Sequence, residues 1–307
     1  MERDELIIWV YLWVCEAMQS FHQQLKERNG RLRRAGFAPA LSDEEALTIE
    51  LCGEMLRLHR DKAIYCHFKT HYQSWFPALG DRPAFVRQCA NLWRVKAHLQ
   101  ERLLGEAQVP QQKVQPVDTM PLPVCAKARA PRDRCFAGVA RKGYCAAKDL
   151  FYYGFKLGLR ITPVGHIASH ALLEANTHDC RHLPALVEGH RGLVPVDKGF
   201  FDPACWTTLA RSGTHIVGRG PRNVDRHRPC ELILPQPLEK WCAKVRKQVE
   251  VVASLLCSRF AIDRIRVHDL WHFEHRVLRK ILAFNLLVTL NIHRGANPLD
   301  LDGLVRD

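Results

Sequence analysis

Two short apolar runs in this chain end in the same way, on an aspartate, and that repeated ending constrains the fold more than any other feature. Val-Gln-Pro-Val (114–117) leads into Asp118 and then Thr-Met-Pro-Leu-Pro-Val-Cys, while Leu-Val-Pro-Val (193–196) leads into Asp197 and then Lys-Gly-Phe-Phe. A brief apolar run closed by a polar turn reads as a buried strand. A third acid, Glu250, lies inside Arg-Lys-Gln-Val-Glu-Val-Val-Ala-Ser-Leu-Leu (246–256), whose apolar spacing is that of an amphipathic helix. Taken singly, an aspartate after a strand is usually a turn residue. Taken together, two strand exits and one helical carboxylate form the layout of a site that holds two divalent cations for phosphodiester chemistry.

The bulk composition sets limits on the partners. At 307 residues with 47% hydrophobic content, the chain has enough apolar matter for one large core or two modest ones. A formal charge of +13 points to an anionic partner, nucleic acid first and an anionic membrane surface second. The longest apolar stretches, Leu6–Val14 and Ile281–Ile292, fall short of the roughly 20 residues of a membrane span. The first also follows an acidic start and lacks the basic flank of a signal peptide. A cytoplasmic, nucleoid-associated protein without a membrane partner is expected. Twelve cysteines are scattered without any CxxC pair, so buried reduced thiols are expected rather than zinc or disulfides.

Residues 1–105 read as helical. Leu6–Glu27 breaks at Asn29-Gly30, amid a basic cluster of Arg28, Arg31, Arg33 and Arg34. Ser42, with Glu45 three residues on, is a capping box for a helix over Ala46–Arg57. A piece at 61–73 follows, and Arg82–Leu104 reads as one last helix. Such an all-helical basic front suits DNA binding, and 106–113 reads as a linker. Beyond it, Val114–Asp118 reads as a strand, 119–148 as a basic loop, Phe151–Thr162 and His166–Glu174 as a hairpin, and His182–Gly189 as a short helix. Leu193–Asp197 and Thr214–Gly218 read as strands around a helix at Pro203–Ser212, and Glu239–Arg259 and His268–His293 as the closing helices. The domains expected are therefore 1–105, a second over 114–293, and a tail, 294–307. Pro195 within the fourth strand removes a ladder donor and is expected to distort it.

The strings VDTMPLPVC, VDKGFF and RKQVEVVASLL resemble the three acidic motifs of DDE-type bacterial insertion-sequence transposases, in the branch whose first aspartate precedes a Pro-Leu-Pro-Val-Cys run. LSDEEALTIELC (41–52) and ILAFNLLVTLN (281–291) extend the resemblance over nearly the whole chain. It implies a mixed α/β RNase H-like sheet flanked by helices, in which the first and fourth strands lie side by side. It implies Asp118, Asp197 and Glu250 as catalytic and metal-binding residues for two Mg²⁺ ions, with Mn²⁺ possible, Asp118 bridging both. It implies terminal-repeat and target DNA as partners, and a homodimer holding two ends. The alternatives left open are a nuclease with the same triad and a DNA-binding descendant without activity.

Around the acids, Arg246 and Lys247 lie four and three residues before Glu250, and Lys198 directly follows Asp197. Each is read either as a phosphate contact or as part of a solvated basic face. Arg141 and Lys142, in the basic loop with Phe136 and Tyr144, are read either as DNA contacts with stacking aromatics or as an ordinary solvated loop. His178 and His182 have a zinc-like spacing, but with His268, His272 and His275 they are read as structural.

Overall fold

A computed structural model describes residues 1–27, 32, 38–145, 149–218 and 234–303. The basic cluster Arg28, Arg31, Arg33 and Arg34, and Lys148 of the basic loop, lie outside the described residues. The chain divides into two compact units, Met1–Glu106 with Glu274–Asp307, and Ala107–Phe273.

The first unit is helical: α1 (Arg3–Glu27), α2 (Asp43–Met55), α3 (Asp61–His71), α4 (Arg82–Asn91), α5 (Trp93–Glu106) and most of a late helix that runs to His293. The capping box forms as expected, with Glu45 N donating to Ser42 Oγ at 3.1 Å and Ser42 N to Glu45 Oε2 at 2.9 Å. The helix expected over Arg82–Leu104 is two helices, because the chain turns at Leu92.

α2 is buried all round, acids included. Glu50 receives Lys96 Nζ at 2.8 Å and Arg279 Nη1 at 3.1 Å, and Glu54 receives Lys280 Nζ at 2.7 Å. Arg279 also reaches Asp61 at 2.9 Å. Charges removed from water are tolerable only when paired this closely. Residues 274–293, assigned above to the second domain, thus cluster with the N-terminal helices because their cations answer the acids of α2 and α3.

The second unit is a mixed sheet with helices. Its strands are β1 (Val117–Ala126), β2 (Arg141–Cys145), β3 (Leu150–Ile161), β4 (Ile167–Glu174), β5 (Gly192–Pro195) and β6 (Thr214–Val217). Its helices are α6 (Leu183–Leu186), α7 (Pro203–Arg211), α8 (Gln236–Ser258) and the start of α9 (Leu270–His293). β3 is central: β1 pairs antiparallel along one edge, and β2 and β4 share the other. β5 and β6 pair in parallel. Segment 113–115, just before β1, joins the two sheets through a parallel bridge between Val114 and Leu193. Leu193 N donates to Lys113 O at 2.7 Å and Gln115 N to Leu193 O at 3.0 Å. The first and fourth strands of the expected RNase H-like order are therefore neighbours.

The basic loop expected over 119–148 is only partly a loop. β1 continues to Ala126 through Pro121 and Pro123, with a bulge before Cys125, and Arg141–Cys145 forms β2. Gly154 permits the bulge: a Cβ there would lie 2.3 Å from Leu122 O. Pro195 ends β5 without breaking the pairing, since Val196 N still donates to Val217 O at 2.9 Å. Val117, Leu183, Leu186, Val194, Val196, Phe200, Trp206 and Ile216 form one buried cluster under these strand ends.

Candidate active site

Asp118 is the second residue of β1, held opposite Leu159 of β3. The buried Val117 on one side fixes the strand, and the carboxylate Oδ1 accepts the Thr119 backbone N–H at 2.8 Å. Asp197 lies two residues past the end of β5, where the chain enters a 3₁₀ turn, Lys198–Phe200. That turn is pinned by the buried Phe200, whose carbonyl accepts Trp206 Nε1 at 2.9 Å. Asp202 Oδ1 then caps α7 by accepting Cys205 N at 3.1 Å.

α8 carries the third acid. It buries Val245, Val249, Val252 and Leu256, so Arg246 and Glu250 emerge beside that stripe one turn apart. Arg246 Nη1 lies 3.6 Å from Glu250 Oε1 and 3.9 Å from Asp197 Oδ1. One guanidinium thus ties the helical acid to the strand-exit acid. Both carboxylates are more than half exposed, so these pairs hold an arrangement more than they add stability.

Asp118 senses the same group of charges. Burial pushes its carboxyl up to about 6, opposed by the Thr119 hydrogen bond and the Arg246 charge, and reinforced by the negative charges of Asp197 and Asp179. Asp179, which directly follows His178, accepts Thr119 Oγ1 at 3.1 Å and pairs with Lys156 Nζ at 2.9 Å. It is the residue the sequence reading undervalued, and only the fold places it behind β1.

The remaining residues divide clearly. Lys198 and Lys247 are exposed neighbours of Asp197 and Glu250 in sequence. Arg141 and Lys142 pair with Gly154 and Tyr153 of β3, five and six residues from Leu159, so they lie roughly 17–20 Å along the strand from Asp118. Arg141 is also engaged by Gly138 O at 2.8 Å and by Glu174 at 3.7 Å. Phe136 is buried against Phe155 and Phe273 and cannot stack on a ligand. The histidines have separate partners: His272 pairs with Asp269 at 2.6 Å, His268 faces Cys135, and His275 accepts from Lys96 at 3.1 Å. The described cysteines are free thiols, but burial holds only for Cys52, Cys89 and Cys242; Cys66 and Cys135 are exposed and the others, Cys15 and Cys257 among them, are half-buried.

Among the described residues, no three His, Cys, Asp or Glu side chains already converge as a metal cage. The donor chemistry nevertheless suits a hard cation. Asp197 and Glu250 share the Arg246 cation, and Asp118, which feels the charges of Arg246 and Asp197, is raised partly by its negative neighbours, which a cation would relieve. Among the described residues no helix is long and apolar enough to cross a membrane.

A family model described as a transposase DDE domain matches residues 108–268, more than half of the chain and all three acids. Comparison with curated proteins gives no match. Among solved structures, the chain is similar to a piggyBac transposase in a synaptic complex with hairpin DNA. That similarity has a TM-score of 0.46 and 11% identity, over 97% of this chain and 76% of that one.

Proposed function

The chain belongs to the transposase DDE domain family, and from that premise we propose that it cleaves insertion-sequence ends and joins them to target DNA through Asp118, Asp197 and Glu250. The observation that carries this reading is that Arg246 pairs with both Asp197, just past β5, and Glu250 of α8, while Asp118 of β1 responds to the charges of Arg246 and Asp197, within a single unit.

Asp118 and Asp197 hang from paired parallel segments, so their separation is set by backbone hydrogen bonds rather than by flexible side chains. Glu250 approaches from α8 and can adjust by rotamer. Divalent cations held by these carboxylates, two Mg²⁺ in this reading with Mn²⁺ as the alternative, would supply the positive charge and acidity that phosphodiester attack needs. Near neutral pH Asp118 is mostly ionised, yet close enough to its midpoint to lose the ligand form on mild acidification. Arg246 holds Asp197 and Glu250 in place and is positioned to meet a phosphate entering between them. Lys198 and Lys247 extend the positive surface along the backbone, while Arg141 and Lys142 would contact DNA farther along the sheet.

Water attacks first and frees a 3′-hydroxyl, and that hydroxyl then attacks target DNA without a covalent protein–DNA intermediate. The helical N-terminal region is assigned to the terminal repeats, and a homodimer to holding two ends. The test is a Mg²⁺ reaction on labelled DNA ending in the element's own repeat, with Asp197→Ala alongside. Cleavage at the boundary with joined products, lost in the variant, is expected. Cleavage without joining would assign a nuclease, and specific binding without either would assign an inactive DNA-binding descendant.

A further inference from the structure

The β2–β3 hairpin carries aromatic rings where the core has no use for them. Its inner face is filled by the buried Tyr152: Gly143 sits directly across, and a Cβ there would lie 2.7 Å from the Tyr152 ring. Its outer face presents Tyr144 and Phe151, paired residue for residue across the two strands. Their ring centroids are 4.5 Å apart with a tilt of 36°, yet they remain 48% and 52% exposed. Cross-strand aromatic pairs steady a hairpin, but that alone does not require cations around them.

The cations are there. Lys127 Nζ lies 4.3 Å from the centroid of the Phe151 ring. Lys142, two residues before Tyr144 in β2 and hence on the same face, is exposed, as are Arg129 and Arg132 just after Lys127. An ammonium over a ring is a weak, mobile cover, and a base that displaces it leaves the cation beside its own phosphate. Tyr144 Oη donates to Asp149 at 2.9 Å, which fixes the ring's edge while leaving its face available.

We propose that Tyr144 and Phe151, with Lys127 and Lys142 around them, form a stacking platform for unpaired DNA bases, distinct from the acidic site. A paired duplex offers no free base face, whereas a frayed or overhanging end offers one next to a phosphate, which is what aromatics interleaved with lysines grip. The proposal rests on the transposase reading above, in that it takes DNA as the ligand.

The experiment measures affinity of the full chain for a fully paired duplex and for the same duplex with an unpaired overhang containing 2-aminopurine. The proteins compared are the wild type, Tyr144→Phe, and the double variant Tyr144→Leu/Phe151→Leu. Leucine keeps an apolar cross-strand pair but cannot stack, and circular dichroism and melting confirm that the variant is folded. Wild type and Tyr144→Phe are expected to prefer the overhang by about tenfold and to quench its fluorescence, each stacked base contributing on that scale. The double variant should lose the preference and the quenching while binding the paired duplex as before. Equal binding of both duplexes by the wild type, or an undiminished preference in the double variant, overturns the platform and leaves the transposase reading standing. Binding of neither duplex overturns both.

Discussion

Asp118 and Asp197, 79 positions apart, each lie four residues beyond one parallel bridge, that between Val114 and Leu193. The backbone at the bridge is tied by hydrogen bonds of 2.7 and 3.0 Å, so the two segments run on in the same direction, Asp118 into β1 and Asp197 just past the end of β5. Arg246 then draws Glu250 of α8 to within reach of Asp197.

Asp118→Asn is predicted to raise stability at alkaline pH and to have little effect in acid. The carboxyl rises from 3.8 to about 6 on folding, so its contribution is fully present below about pH 4 and is lost as pH rises through 6. Asparagine escapes that loss, which is about 3 kcal/mol above pH 7. Thermal melts with chelator present should show a gap at pH 8 that closes towards pH 4. A gap independent of pH would contradict the assignment.

Arg246→Gln removes the cation beside Asp197 and Glu250. Exposed ion pairs of this kind contribute about 0–1 kcal/mol, so the melting temperature should barely move. Divalent-cation affinity, followed by calorimetric titration, should instead tighten severalfold, because a competing charge has gone. Weaker cation binding in the variant would mean that the hold of Arg246 on the two carboxylates outweighs its competition with the ion.

Asp179→Asn takes a negative charge away from Asp118 and leaves Lys156 unpaired nearby. Both changes favour an ionised Asp118, so its midpoint should fall below 6. Carboxyl-resolved NMR titration reads this directly, and an unmoved midpoint would remove Asp179 from the account.

Arg279→Met tests the helical unit. Arg279 is fully buried and answers Glu50, Glu54 and Asp61 together. Its loss takes one cation from each of these buried carboxylates, leaving Lys96, Lys280 and Arg276 to answer them, and should cost about 3 kcal/mol in urea denaturation. Adding Glu54→Gln should deepen the loss, since it takes from the buried Lys280 the carboxylate that it donates to.

Local signals were legible in the sequence, and long-range ones were not. Ser42 and Glu45 announce their capping box because cap and helix lie within four residues. The strand exits at Asp118 and Asp197 are legible because a short apolar run before an acid needs no partner to be recognised. The continuation of β1 is hidden by Pro121 and Pro123, which mimic a loop. Among the described residues, though, β1 pairs with one strand only, so their missing N–H groups need not cost a ladder bond. β2 looks like basic loop because Gly143 makes sense only opposite Tyr152. Residues 274–293 read as part of the second domain because nothing local tells which acids Arg279 and Lys280 answer. The place of Asp179 beside Asp118 is hidden for the same reason, since its partners Thr119 and Lys156 lie on β1 and β3, far from its own 3₁₀ turn in sequence.

The central claim is that Asp118, Asp197 and Glu250 act as one cation site, and calorimetric titration of Mn²⁺ into the wild type, Asp118→Asn, Asp197→Asn and Glu250→Gln tests it most directly. The wild type is expected to bind, each single substitution to weaken binding by at least about tenfold, and pairs of substitutions to add little further loss. Binding that survives any one substitution unchanged, or losses that simply add, would contradict a shared site.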